Sequence, residues 1–112
     1  YKITDQTLYA IADKARMLRS LDLACCDHIT DKGIEVLAEY CDGLRELNVT
    51  SCQWVTQNVV QKLAKYRPQL EVLAIGKIAS EDLASLPQKF PQLIMLNISG
   101  IEGIQSSTDL ER

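Results

Sequence analysis

The sequence lacks the features that mark membrane-spanning and nucleic-acid-binding proteins. No apolar run approaches the roughly 20 residues that a helix needs to cross a bilayer, so no contact with a membrane is expected. Basic residues are not in excess, because 12 lysines and arginines stand against 15 aspartates and glutamates, for a net charge of −3. Since phosphate binding requires a basic surface, nucleic acid is not expected as a partner either.

Catalytic motifs are missing as well. The chain has a single histidine, His28, and contains no Gly-x-Ser-x-Gly, no glycine-rich phosphate loop and no His-Glu-x-x-His. The carboxylate pair Glu81-Asp82 lies at a predicted helix start, where the helix dipole explains its charge. We therefore expect no enzyme activity, no catalytic residue and no cofactor.

The four cysteines do not have the spacing of a zinc site. No Cys-x-x-Cys pair occurs, and only one histidine could complete a ligand set, so no metal is expected. Cys26 and Cys52 occupy the same position of the repeat described below, and α-carbons one strand spacing apart, ~4.8 Å, would permit a disulfide. The stronger interpretation is that they are reduced, buried small hydrophobes of an intracellular protein, cytoplasmic or nuclear.

What the sequence does contain is an internal repeat. Residues 18–43, LRSLDLACCDHITDKGIEVLAEYCDG, recur without a gap as 44–69, LRELNVTSCQWVTQNVVQKLAKYRPQ, and Leu70 starts another copy. The first two copies keep the spacing Leu-x-x-Leu-x-Leu/Val-x-x-Cys. A period of this length is typical of stacked structural units, each of which contacts only its neighbours.

Each repeat divides into a strand and a helix. In residues 20–24, polar and apolar side chains alternate with the period of two that a strand shows. Ile34, Leu37, Ala38 and Cys41 then follow at the spacing of one helical face. Strands joined through helices form a parallel sheet with right-handed crossovers. Because helices are wider than strands, the predicted fold is an α/β right-handed solenoid, a horseshoe segment with strands on the concave face and helices on the convex face.

The repeat pattern covers residues 1–101. The step from Leu70 to the next strand start, Leu93, is shorter by three than the step from Leu44 to Leu70, and we assign the missing three to a turn after Ile78. The predicted divisions are a partial repeat at 1–17, repeats at 18–43, 44–69 and 70–92, a terminal strand at 93–101, and a polar tail or weak cap at 102–112.

Hydroxyl residues mark the predicted helix starts. We expect their oxygens to accept hydrogen bonds from the first free amides of each helix. In the fourth unit, Ser80 is the predicted cap, Pro87 interrupts the helix, and Ser85 begins a second short turn. The capping threonines of the first three helices are Thr4, Thr30 and Thr56.

The alignment of the copies also ranks two cysteines by exposure. Cys41 shares its position with an arginine, Arg67, so this position is predicted to be peripheral. Cys25 shares its position with Lys77, which indicates an accessible thiol.

Residues 18–41 resemble the cysteine-containing class of leucine-rich repeat. They carry its pattern L-x-x-L-x-L-x-x-C-x-x-I-T-D-x-G-I-x-x-L-A-x-x-C at nearly every position, and the resemblance weakens after Ile75. This class is typical of F-box/leucine-rich-repeat proteins, in which an F-box recruits the Skp1–cullin ubiquitin ligase and the repeats hold the substrate. It also occurs in AMN1-like proteins. No helical Leu-Pro-x-Glu segment of an F-box is found in this sequence.

The resemblance implies a protein-interaction module. Its most concrete form is the substrate-recognition segment of an F-box-type ligase subunit, joined to Skp1–cullin through a region outside this chain. A leucine-rich-repeat adaptor or regulator without ligase function, AMN1-like, is the alternative. A third possibility is a repeat segment that forms a small-ligand pocket.

Candidate binding residues are those that the repeat pattern does not dictate. On the predicted concave face, acidic and polar side chains at one end give way to small and apolar ones at the other. In the loops after the strands, Lys2, His28 and Trp54 share one position, and an exposed indole there would serve as an anchor unless it packs over its neighbours. The candidate partner-binding residues are Asp22, His28, Glu46, Asn48, Thr50, Trp54, Val72, Met95 and Asn97.

Overall fold

The computed structural model describes residues 2–102, in which helices and strands alternate. The predicted tail at 102–112 lies outside the described residues, apart from Glu102 at the end of the last strand. The helices are α1 (Asp5–Lys14), α2 (Asp31–Tyr40), α3 (Val59–Tyr66) and α4 (Ser80–Lys89). The strands are β1 (Ser20–Asp22), β2 (Glu46–Asn48), β3 (Val72–Ala79) and β4 (Met95–Glu102).

The strands form one parallel sheet in the order β1-β2-β3-β4. Ser20 lies opposite Glu46, Glu46 opposite Val72, and Val72 opposite Met95. Neighbouring strands therefore keep the offsets of the sequence repeat, including the shorter last step. The predicted α/β class with a parallel sheet is confirmed.

Helices and strands share one apolar core. Leu47 and Leu73 from the strands and Leu37 and Leu63 from the helices belong to the same buried cluster, each at most 1% exposed. Because full burial of a leucine side chain stabilises a fold by roughly 1.5–3 kcal/mol, these positions are fixed by packing. The residues that flank them along each strand face the other side of the sheet, away from the four described helices.

Side-chain hydrogen bonds accompany the ends of the two short strands, β1 and β2. Asp22 Oδ1 accepts a hydrogen bond from Ala24 N, and Asn48 Oδ1 accepts one from Thr50 N, each at 3.0 Å. Such a bond to the amide two residues on turns the backbone out of the extended conformation. β3 and β4 continue beyond this position, to Ala79 and Glu102, although Ala74 has no acceptor there and Asn97 has one.

The fourth unit departs from the prediction in two ways. β3 runs directly into α4, so no turn follows Ile78, and the missing three residues reflect the absence of that turn. α4 is continuous through Pro87, and Ser85 Oγ donates to Asp82 O at 2.9 Å instead of starting a second turn. A proline two residues before the helix end removes only one amide donor, which the last turn tolerates. Ser80 is the first helical residue and not the cap.

In the described part of the chain, two non-glycine residues adopt the left-handed conformation, Cys25 at φ 64° and Ser51 at φ 56°. A side chain in this region costs about 1 kcal/mol. Cys25 is also exposed, as predicted, so its thiol contributes little packing. We expect Cys25→Gly to raise the free energy of unfolding by about 0.5 kcal/mol in urea denaturation, after allowance for the greater freedom of unfolded glycine.

The matched control for this change is Asp27→Gly. Asp27 is exposed in the same loop but has no positive φ. Glycine at this position should therefore lower the free energy of unfolding of the protein by a few tenths of a kcal/mol. Equal effects of the two substitutions would contradict the strain at Cys25.

Candidate functional site

The side of the sheet opposite the helices, which we call the open face, carries most of the candidate residues. Six of them line one shallow depression of about 280 Å³ that spans all four strands. The other three, Thr50, His28 and Trp54, lie outside this lining. The six lining candidates are Asp22, Glu46, Asn48, Val72, Met95 and Asn97.

Chemical character changes across the open face in the predicted direction. On the β1–β2 side, Asp22 and Glu46 are exposed carboxylates. On the β3–β4 side, Val72 is half-buried and Met95 is 61% exposed. None of the residues that line the depression is basic. The face thus has an acidic end and, opposite it, an end with the apolar pair Val72 and Met95 next to the exposed amide of Asn97.

Asn48 is held in a defined orientation between these two ends. Its Oδ1 accepts hydrogen bonds from Thr50 N at 3.0 Å and from Thr50 Oγ1 at 2.7 Å. Two donors on one atom identify that atom as the carbonyl oxygen. The amide nitrogen Nδ2 has no hydrogen-bond partner among the described residues, so Asn48 presents a donor. Thr50 therefore holds the side chain of Asn48 in this orientation.

Trp54 and His28 lie in the loops that follow β2 and β1. The indole of Trp54 is 59% exposed, which decides between the two interpretations of the sequence in favour of the exposed one. His28 is exposed too, and its backbone forms a parallel bridge with Thr4, two residues from Lys2. An exposed tryptophan in the loop after β2 is a surface that a partner could bury.

Polar side chains link successive units at the helix N-termini, where the sequence predicts simple capping. Thr30 donates to Asp5, from N to Oδ1 at 2.8 Å and from Oγ1 to Oδ2 at 2.5 Å. Thr56 donates to Asp31 in the same way, at 2.6 and 2.5 Å. The threonine hydroxyls therefore point to the preceding unit, and no side-chain cap forms at Thr30.

The third link, between the third and fourth units, differs from the first two in both of its residues. Gln57 replaces the aspartate and accepts one hydrogen bond from Ala79 N at 2.5 Å. Ala79 has no hydroxyl, so one amide oxygen serves where two carboxylate oxygens serve elsewhere. We call the three links, from Asp5, Asp31 and Gln57, the inter-unit ladder. Thr56 is not the N-cap residue, because α3 begins at Val59 after Asn58, but its Oγ1 accepts a hydrogen bond from Asn58 N at 3.2 Å.

Arg67 is the most connected side chain that the sequence did not single out. Its Nε donates to Ala38 O at 2.6 Å, and its two terminal nitrogens donate to Asp42 O at 3.3 Å and Glu39 O at 3.4 Å. These carbonyls lie at or just beyond the C-terminus of α2, where the helix leaves them without amide partners. The sequence does place Arg67 just after α3, and in an array of stacked helices an arginine there can reach the C-terminus of the preceding helix. This position was the signal from which the contact could have been predicted.

The position that Arg67 shares with Cys41 is not peripheral, so that prediction is wrong. Cys41 is fully buried, and its Sγ donates to Ala15 O at 3.6 Å. Cys52 Sγ likewise donates across units, to Leu23 O at 2.9 Å. Each position is buried because the next unit stacks over it.

The cysteines are free thiols, and no disulfide joins Cys26 to Cys52. Burial raises the pKa of Cys26, Cys41 and Cys52 above the usual value, with a smaller opposing effect of Arg67 on Cys41. Thiols in this condition stay protonated near neutral pH and are poor nucleophiles. Their role is packing and weak hydrogen bonding.

Neither metal-ligand clusters nor membrane helices are found within residues 2–102. Histidine, cysteine, aspartate and glutamate side chains do not gather in groups of three or more that could hold a metal ion in this part of the chain. None of its helices has the length and apolar character needed to cross a membrane.

The family comparison agrees with this geometry. A family model described as Leucine Rich repeat matches residues 14–38, from the end of α1 through β1 into α2. No curated protein matches the chain. The matched stretch contains the Leu-x-x-Leu-x-Leu-x-x-Cys spacing, the Asx turn at Asp22 and the Asp31 of the inter-unit ladder. Residues 14–38 of this chain are therefore a leucine-rich repeat.

Proposed function

We propose that this chain is a non-enzymatic protein-interaction module that binds a partner protein on the open face. Leucine-rich repeats generally serve as protein-binding modules. The observation that carries the proposal is the open face itself, where six candidate residues meet in one depression that none of the helices within residues 2–102 lines. Trp54, which is exposed in a neighbouring loop, adds a side chain that is often energetically dominant at interfaces.

The same proposal includes the overall shape and place of the module. Regular offsets between strands, with helices on one side, are the arrangement that bends a stack of repeats, so we expect a right-handed solenoid whose open face is concave. The four cysteines are free thiols, two of them buried, and free thiols are typical of proteins in the cytoplasm and nucleus, where we place the protein.

The more specific role is substrate recognition within an F-box-type ubiquitin ligase. It is supported by the resemblance of residues 18–41 to the repeats of F-box/leucine-rich-repeat proteins. Skp1–cullin would then bind through a region outside this chain. A non-ligase adaptor or regulator of the AMN1-like kind is the second candidate, because the same repeats occur without an F-box.

The two roles differ in one measurable partner. If the ligase role is correct, Skp1 will co-purify in stoichiometric amounts with the full-length protein, expressed with an affinity tag in its own cells. Complete absence of Skp1, together with recovery of another specific partner, would support the adaptor role instead.

A photocrosslinking experiment tests which face binds. p-Benzoylphenylalanine would be placed at Met95 on the open face and, as a control, at Tyr40 on the helix side, both of which are exposed. We expect partner crosslinks from position 95 and none from position 40. The reverse result would show that the helices form the interface and would overturn the proposal.

Trp54→Ala is the corresponding affinity prediction. Loss of an indole anchor should weaken binding of the crosslinked partner by about tenfold, or 1.4 kcal/mol. Because Trp54 is exposed, the fold should remain intact by circular dichroism. Met17→Ala removes another exposed apolar side chain, which lies in the loop between α1 and β1, and should leave the affinity unchanged. Equal affinities for wild type and Trp54→Ala would remove Trp54 from the interface.

A further inference from the structure

We propose that the segment bound on the open face carries a basic and an apolar side chain separated by two strand spacings, about 10 Å. The basic side chain lies between Asp22 and Glu46, and the apolar one lies on Val72 and Met95. This inference rests on the proposed function and adds the chemistry of the partner.

The carboxylates at the acidic end, Asp22 and Glu46, have no basic partner among the described residues. Among residues 2–102, no ion pair involves Asp22 or Glu46, and no basic residue lines the depression. The helix side of the molecule behaves differently. There, Glu35 lies 3.2 Å from Lys62 and 3.7 Å from Lys32, and the hydrogen bond from Lys62 lowers the pKa of this carboxyl. Unpaired carboxylates on an uncovered face favour a cationic partner group.

The two carboxylates are placed to act on one cation. Glu46 lies opposite Ser20 in the sheet, so Asp22 is its diagonal neighbour on the same face. Asp22 is already oriented, because its Oδ1 accepts the hydrogen bond from Ala24 N at 3.0 Å. An oriented carboxylate loses less conformational freedom when it binds a lysine or arginine.

The apolar end offers an adaptable contact. Val72 and Met95 are direct partners on β3 and β4, and Met95 is mostly exposed. A methionine side chain is flexible and polarizable, so it fits aliphatic and aromatic groups of different shapes. Ala74, the next open-face residue on β3, is small and leaves room above the sheet.

The distance between the ends sets the spacing in the partner. Two strand separations of ~4.8 Å divide the β1–β2 pair from the β3–β4 pair, about 10 Å in total. Residues i and i+3 of a polyproline II segment lie on one side and ~9.3 Å apart. Asn48 lies between the two ends, and its free Nδ2 can donate to a backbone carbonyl of such a segment.

The test uses a phage-displayed library of random nine-residue peptides, selected against the whole chain. The selected peptides are then measured by fluorescence polarisation against two double variants. Asp22→Asn with Glu46→Gln removes both open-face charges and keeps the Oδ1 acceptor for Ala24 N. Asp13→Asn with Glu39→Gln makes the same change at exposed positions of the helix side.

We expect the selected sequences to carry Lys or Arg three positions from an apolar residue. The open-face double variant should then bind them about tenfold more weakly at low salt. The difference should shrink at high NaCl concentration, where charges are screened. The helix-side variant should bind them as the wild type does.

Three other outcomes overturn the inference. Peptides without the basic residue that still lose binding in Met95→Asp would refute the partner chemistry and leave the proposed function standing. Peptides indifferent to every open-face variant would refute both. Failure to enrich any peptide would refute recognition of a short segment, while the crosslinks from position 95 would still decide the proposed function.

Discussion

Replacement of Arg67 by methionine is expected to lower the free energy of unfolding by about 3 kcal/mol. The guanidinium donates to three carbonyl groups at the end of α2, those of Ala38, Glu39 and Asp42. Methionine would keep much of the aliphatic packing and remove every one of these donors. The loss would fall on the contact between two units and not on the open face.

Burial decides the size of this effect. Only 14% of the Arg67 side chain is exposed, whereas the carboxylate of Asp42, 3.4 Å away, is 71% exposed. The ion pair with Asp42 is therefore screened by water and contributes little. The carbonyls of Ala38 and Glu39 would lose their partners close to the interface, and hydrogen bonds from a charged donor are worth about 1.5–3 kcal/mol.

Equilibrium urea unfolding measures this change, with Lys14→Met as the control. Lys14 is an exposed cation near a helix end that pairs only with its neighbour Asp13 at 3.5 Å among the described residues, so its loss should cost less than about 0.5 kcal/mol. Arg67→Lys should recover less than half of the loss, because an ammonium on a flexible stem does not reproduce the rigid fork of donors that the guanidinium offers. Near-equal stability of Arg67→Met and wild type would show that water replaces the guanidinium without cost.

Gly33→Ala should lower the free energy of unfolding by about 2 kcal/mol, against the trend of helix propensity. Glycine in the interior of α2 costs about 1 kcal/mol relative to alanine, so propensity alone predicts a gain. However, a Cβ at Gly33 would collide with the carboxylate of Asp5 and approach Leu8 Cδ1 to 2.8 Å. Asp5 cannot move freely, because Thr30 holds both of its oxygens.

A double-mutant cycle separates the two effects. Asp5→Ala alone should cost about 1 kcal/mol through the lost hydrogen bonds to Thr30. In the Asp5→Ala background, Gly33→Ala should become stabilising by a few tenths of a kcal/mol, since the main collision is gone and propensity remains. Thermal or urea unfolding of the four proteins gives this sign directly. A stabilising Gly33→Ala in both backgrounds would contradict the steric explanation.

Periodicity predicted the fold well because the core depends on it. The spacing of Leu21, Leu47 and Leu73 determined the strand register, and the shorter step to Leu96 was also read correctly. Apolar burial is the dominant stabilising effect, and it requires only that hydrophobic residues recur at the right interval. Six of the nine candidate site residues met on one face for the same reason.

Polar contacts between units could not be read in the same way. Thr30 and Thr56 resemble helix caps, and local sequence does not reveal that their hydroxyls donate to the preceding unit. Arg67 looked like a tolerated exception at the Cys41 position, because alignment compares a residue with its equivalents and not with its neighbours in space. The run of β3 into α4 was missed because the fourth unit was aligned with copies in which a turn follows the strand.

The inter-unit ladder and Arg67 have a consequence for how this protein can evolve. Both stabilise the stack through helix termini, and neither uses a side chain of the open face. Substitutions at Glu46, Val72 or Met95 can therefore accumulate without weakening the contacts that hold neighbouring units together. A lineage could change partners by drift on one surface while selection keeps the other surface constant.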